Sequence, residues 1–222
     1  MQLKKVLLSI ILILLVLGVG YVAVQLWTAF NTPTITTQYP EQIREYNGTA
    51  LDSINDFRIE AIAGVQYINI STYSLVIDGL VQNQTSLTYN DLVNNHTSYL
   101  KVVTLHCVEG WQVTALWQGL LVKDLLADAG YEQNAQVLIF YAQDGYTTSL
   151  PLSYIVNNNI MIAYKVNNVT LPAAEGYPFQ LVAEGKLGYK WIKWITRISV
   201  SNDTSYLGYW ESNGYSNTAN YP

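Results

Sequence analysis

The sequence predicts an α+β domain built on a mixed, largely antiparallel sheet, preceded by one N-terminal transmembrane helix. Two observations predict the domain. Short apolar runs rich in β-branched residues outnumber helical periodicities, and they do not alternate with helices as a doubly wound parallel sheet requires. A third observation predicts the helix: residues 6–27 carry no charge. At about 1.5 Å per residue they would span roughly 33 Å, enough to cross a bilayer.

Lys4 and Lys5 precede that run and the next charge is Glu41, so the positive-inside rule places residues 28–222 on the extracytoplasmic side. The run is long for a signal-peptide core and no Ala-x-Ala site follows it, which favours an uncleaved anchor over a cleaved signal. Asn-x-Ser/Thr sequons begin at Asn47, Asn69, Asn83, Asn95, Asn168 and Asn202, consistent with export. Residues 28–50 are polar, carry Pro33 and Pro40 and read as a linker. Residues 51–222 have the length of one domain with a sizeable core.

Within that domain, residues 73–79, 101–108, 136–141, 159–164, 179–183 and 194–200 read as strands. Thr88-Tyr-Asn-Asp91 has the form of a capping box opening a short helix. Residues 119–129 read as a second helix, with Leu121, Leu125 and Leu126 on one face and Gly130 ending it.

Cys107 is the only cysteine, so it forms no internal disulfide. Its thiol is inert packing, a nucleophile or a metal ligand. The two histidines, His96 and His106, are the available bases for a nucleophile. His106 neighbours Cys107, but adjacent strand residues face opposite ways. Without Lys4 and Lys5 the chain has 9 Lys+Arg against 16 Asp+Glu, a net of −7, which makes nucleic acid an unattractive partner. Lys186, Lys190, Lys193 and Arg197 nevertheless fall within twelve residues. They form either one solvated face or a site for an anion such as a phosphate, with Gly185 and Gly188 letting backbone approach it.

Four segments together resemble the sulfite-oxidase-like molybdopterin-binding domain. They are residues 73–81, Leu-His-Cys-Val-Glu-Gly-Trp at 105–111 with Trp-Gln-Gly at 117–119, Gly-Tyr-Pro-Phe-Gln-Leu-Val at 176–182, and Gly-Lys-Leu-Gly-Tyr-Lys-Trp-Ile-Lys-Trp at 185–194. Gly-Tyr-Trp-Glu-Ser-Asn-Gly-Tyr at 208–215 is similar to the closing motif of that family. The likeness is strongest to its stand-alone forms, typified by the catalytic subunit of a periplasmic methionine-sulfoxide reductase.

The resemblance implies a molybdenum-molybdopterin cofactor with Cys107 as the single protein ligand to the metal, a soft thiolate suiting a sulfur-rich site. It implies that Lys186, Gly188, Tyr189, Lys190, Ile192 and Lys193 cradle the pterin and its phosphate, with Asn55 and Arg58 touching it from the N-terminal side. Tyr146, after an Asp144-Gly turn, and Glu109 are candidate pocket residues. Gln180 stands where relatives usually carry Arg, and Glu175 where Asn or His is common, so phosphate recognition would shift to Lys186, Lys190, Arg58 or Arg197. Sulfite and similar oxyanions then become poorer substrates than an S-oxide or N-oxide. Electrons would come from a separate cytochrome or quinol-linked partner. The alternative on the same fold is a cofactor-free cell-surface binding or scaffold module.

Overall fold

The computed structural model describes residues 39–221. The membrane helix expected over residues 6–27 and the first part of the 28–50 linker lie outside the described residues. Among the described residues no helix is long and apolar enough to cross a membrane. Tyr39 already packs on the core, and the Ile43 N–H donates to Asn167 O at 3.0 Å. The polar stretch is therefore tied to the domain from Tyr39 onward.

A small hairpin comes first, β1 (Glu45–Tyr46) and β2 (Thr49–Ala50), joined by Asn47 and Gly48 at positive φ, as a type I′ turn requires. Next come β3 (Ser74–Gly79), β4 (Thr85–Thr88), helix α1 (Tyr89–Asn95), β5 (Tyr99–His106) and β6 (Gln112–Leu121). Helix α2 (Val122–Ala129) leads to β7 (Val137–Ala142), β8 (Thr147–Pro151) and α3 (Leu152–Asn157). The rest is β9 (Met161–Val166), β10 (Val169–Thr170), β11 (Gln180–Val182), β12 (Ile195–Ser201) and the one-turn α4 (Tyr209–Ser212).

These strands make two five-stranded sheets. One runs β10-β9-β6-β5 with β11 also on β9, and all its pairings are antiparallel. The other runs β4-β3-β12-β7-β8, in which only β3 and β12 are parallel. The expectation of a mixed, mostly antiparallel sheet thus resolves into two sheets feeding one core. Strands β7 and β9 are buried almost throughout, which is why they read as unbroken apolar runs. Strand β5 alternates toward its end, burying Val103 and Leu105.

The capping box forms as expected: Thr88 Oγ1 accepts from the Asp91 N–H at 3.2 Å and Asp91 Oδ2 from the Thr88 N–H at 3.0 Å. Gly130, at φ +67°, closes α2. The expected helix over residues 119–129 is shorter, because residues 119–121 end β6. There the register against β9 shifts between Gln118 and Gly119. A Cβ at Gly119 would stand 2.1 Å from Ile162 O, so the close strand approach needs a residue without a side chain. Strand β8 and helix α3 were not legible, since Thr-Thr-Ser-Leu-Pro carries no alternation and its burial comes from pairing with β7.

Beyond β12 the chain folds back and is fastened by residues just upstream. Lys190, in the 3₁₀ turn Gly188–Lys190, is fully buried. Its Nζ bonds to Glu211 Oε1, to Ser149 O at 2.9 Å and to Asn217 Oδ1 at 2.9 Å. Lys186 Nζ bonds to Thr218 O at 2.8 Å and Asn220 Oδ1 at 2.5 Å. The Tyr189 hydroxyl donates to Ser216 O at 2.7 Å, and Tyr221 stacks on His106 with ring centroids 3.5 Å apart.

Gly119→Val is expected to cost at least about 2 kcal/mol by forced separation of β6 and β9, read as a lowered urea midpoint. Lys190→Met, which strands a buried carboxylate, should cost about 3–5 kcal/mol. Adding Glu211→Leu to Lys190→Met should recover most of that loss in the same urea titration.

Candidate functional site

Strands β5 and β6 are joined by a tight loop that presents the thiol. The Cys107 N–H donates to Trp111 O at 2.9 Å and the Gly110 N–H to Cys107 O at 3.1 Å. Gly110 takes φ +86°, completing a three-residue connection that needs a left-handed residue at its end. Cys107 is thereby fixed at the strand end, half-buried, on the wall of a cavity of about 430 Å³. Gly188 faces it: a Cβ there would already touch Cys107 Cα at 3.5 Å.

Burial pushes the Cys107 thiol up, as do the carboxylates of Glu109 and Glu60, while backbone N–H groups of Glu109 and Val108 pull it back. No base attends it. His106 stacks on Tyr221, His96 pairs with Asp128 at 3.2 Å, and neither lines the cavity. The arrangement is not that of an activated nucleophile, which needs a depressed pKa or an adjacent base. Among the described residues no group of three or more His, Cys, Asp and Glu side chains is placed to hold a metal. A metal here would need donors from outside the protein, with one thiolate from within it.

The structure brings Arg58, Tyr146, Glu175, Gln180, Gly188, Tyr189, Ile192 and Lys193 to the same cavity as Cys107. It does not bring Asn55, Lys186, Lys190 or Arg197 there. Asn55 is exposed on the 3₁₀ turn Ile54–Asp56, its Nδ2 bonded to Ser53 Oγ at 3.3 Å. Arg197 pairs with Asp78 at 2.7 Å and covers the Tyr141 ring. Lys186 and Lys190 hold the C-terminal segment. The expected cationic cradle is therefore corrected for three of its members: they are structural, because their acceptors lie on segments that sequence spacing does not connect to them.

What remains at the cavity is acidic. Glu60, Glu109, Asp144 and Glu175 line it against Arg58 and Lys193. Lys193 is already matched, its Nζ bonding to Ala174 O at 2.8 Å and Glu175 Oε2 at 3.3 Å. Burial raises the Glu175 pKa and Lys193 draws it back down. Arg58 is exposed and forms no salt bridge among the described residues.

Gln180 is the unusual group. It is fully buried on β11, and neither its Nε2 nor its Oε1 has a partner. Trp111, which lines the same cavity, has an unpartnered Nε1 too. A buried amide left unpaired is costly and rare, so one facing a cavity marks where a polar ligand makes its bonds. A soft thiol, an unpaired amide with both donor and acceptor, and room for a heterocycle fit a pterin-bound metal. The Tyr146 hydroxyl braces this wall by donating to Tyr189 O at 2.5 Å.

Sequence reasoning missed Phe57 and Glu60, which approach the cavity from a segment without regular structure. It assigned no role to Tyr209, Trp210 or Tyr215, although the closing motif contained them.

Residues 62–210 match the family described as the oxidoreductase molybdopterin binding domain. The uncharacterized oxidoreductase YuiH of Bacillus subtilis is 31% identical over 150 residues, spanning 67% of this chain and 75% of that protein. The putative protein-methionine-sulfoxide reductase subunit YedZ1 of Azospira oryzae is 32% identical over 153 residues, 68% of this chain and 57% of that one. Among solved structures, the sulfane dehydrogenase SoxCD of Paracoccus pantotrophus superposes with a TM-score of 0.60 at 23% identity. It covers 63% of this chain and 41% of its own, a likeness of fold. The chain therefore belongs to the oxidoreductase molybdopterin binding domain family and is a molybdopterin oxidoreductase of the sulfite-oxidase-like kind.

Proposed function

We propose that Cys107 is the one protein ligand to molybdenum and that the protein reduces an S-oxide or N-oxide with electrons from a separate partner. The observation that carries this reading is the pairing of a cavity-lining thiol with the unpartnered Gln180 amide in a space that, among the described residues, is lined by no other soft ligand. When bound, the molybdopterin group supplies two-electron redox chemistry coupled to oxygen-atom transfer. For an S-oxide the balance is R₂SO + 2e⁻ + 2H⁺ → R₂S + H₂O.

The chain's own residues bind and orient. The β5–β6 loop fixes the thiol, Gly188 keeps the space beside it open, and Gln180 offers two N–H donors and two acceptor lone pairs. Arg58, the one cavity cation without a carboxylate partner among the described residues, is the group available to the cofactor phosphate. The excess of carboxylates disfavours sulfite or nitrate and leaves uncharged S–O or N–O groups as the better substrates.

The relative named as a putative reductase subunit supports a separate partner, for which we propose a cytochrome or quinol-linked electron donor. Lys4, Lys5 and the uncharged run over residues 6–27 support a single membrane anchor with the domain on the extracytoplasmic side.

Protein made in a molybdenum-competent host is expected to contain about one molybdenum per chain, as one site binds one metal, and to lose it on Cys107→Ala. Metal-free, pterin-free wild type from that host would overturn the reading. Gln180→Met removes an unpaired amide. It should stabilise the cofactor-free protein by about 1 kcal/mol in urea unfolding while lowering the pterin retained, measured by fluorescence after release.

A further inference from the structure

The outer rim of the cavity has a composition that the chemistry above does not use. Tyr146, Tyr209, Trp210, Tyr215 and Tyr189 form an unbroken series of ring contacts, with centroids 5.7, 5.3, 5.2 and 5.3 Å apart in that order. All five line the cavity. Tyr209, Trp210 and Tyr215 remain 39%, 37% and 41% exposed, so their rings are not absorbed into a core.

They are also held in place. Helix α4, which carries Tyr209 and Trp210, is pinned by the buried Glu211–Lys190 pair, and Tyr189 is tied to Ser216 beside Tyr215. Half-exposed rings held in place attract cations through their quadrupoles.

Charge on the rim points the same way. Glu60, Glu109 and Asp144 stand against Arg58, while Lys193 and Glu175 match each other. An anion entering this mouth meets net negative charge, and a neutral apolar group gains ring contact alone. An organic cation gains both. The unpartnered, fully buried Gln180 amide in the same cavity marks it as a place where a polar ligand sits.

We infer that the aromatic and acidic rim is a subsite for an alkylated ammonium group carried by the substrate, so that the S–O or N–O group reaches past it toward Gln180 and Cys107. The catalytic meaning of the subsite rests on the proposed reductase reading, but its cation preference belongs to the rim itself.

The test uses three probes of equal shape: choline, the uncharged 3,3-dimethylbutan-1-ol and the anionic 3,3-dimethylbutanoate. Each is titrated into the full protein, with molybdenum content measured on the same sample and binding followed by tryptophan fluorescence. Choline is expected to bind about five- to tenfold more tightly than the alcohol, with the carboxylate weakest. Trp210→Leu should remove the preference. The doubly neutralised Glu60→Gln/Glu109→Gln variant, altered only at exposed side chains, should reduce it and flatten its salt dependence. Equal binding of choline and the alcohol, tighter binding of the carboxylate, or no binding of choline would overturn the subsite. Choline preference in protein shown to take up no molybdenum would keep the subsite and sink the reductase reading. Absence of that preference in molybdenum-loaded protein would sink the subsite alone.

Discussion

The Lys190–Glu211 pair, with neither side chain reaching solvent, is the interaction on which the site's outer half depends. Burial lowers the Lys190 pKa and Glu211 draws it back up, so the ammonium is kept charged by its partner. A buried charge tolerates few arrangements of its acceptors. Here the acceptors come from α4, from Ser149 on β8 and from Asn217, and satisfying them together leaves those segments one way to meet. Gly208 makes room for this: a Cβ there would lie 2.3 Å from Thr147 O and 2.7 Å from Glu211 Oε2. The rings of α4 owe their position to a bond made behind them.

Charge in this protein is sorted by purpose. The cations concentrated over residues 186–197 mostly clasp the C-terminal segment and the second sheet, and the cavity is left with more carboxylates than cations. The cavity wall contributes a thiol and an uncharged amide. That combination holds a group which brings its own donors and its own metal. The protein controls reach and polarity there, leaving the redox chemistry to the cofactor.

How much could be read beforehand followed from range. Apolar runs, the Thr88–Asp91 capping box and the stop at Gly130 are local, and β3, β5, β7, β9, β11, β12 and α1 appear within a few residues of where they were expected, whereas β4, β6, β8 and β10 were not expected as strands. Strand β6 went unread, its last residues 119–121 reading as helix because Leu121, Leu125 and Leu126 share a helical spacing although Leu121 belongs to the strand. Cys107 stood out by being solitary. The destinations of Lys186 and Lys190 were illegible, since their acceptors lie 21 to 41 residues away and include backbone oxygens. Glu211 and Asn217 carry no mark in sequence of being a lysine's partners.

Strand β12 lies in the middle of the second sheet, between β3 and β7. Until residues 195–201 have been synthesised, that sheet exists only as two separate hairpins, β3–β4 and β7–β8, each with an open edge. At about 5–20 residues per second, the gap between finishing β8 and making β12 lasts seconds. Such edges readily pair with other chains. The late strand is thus a keystone, and the nascent chain's exposure to mispairing is governed by the interval before it arrives.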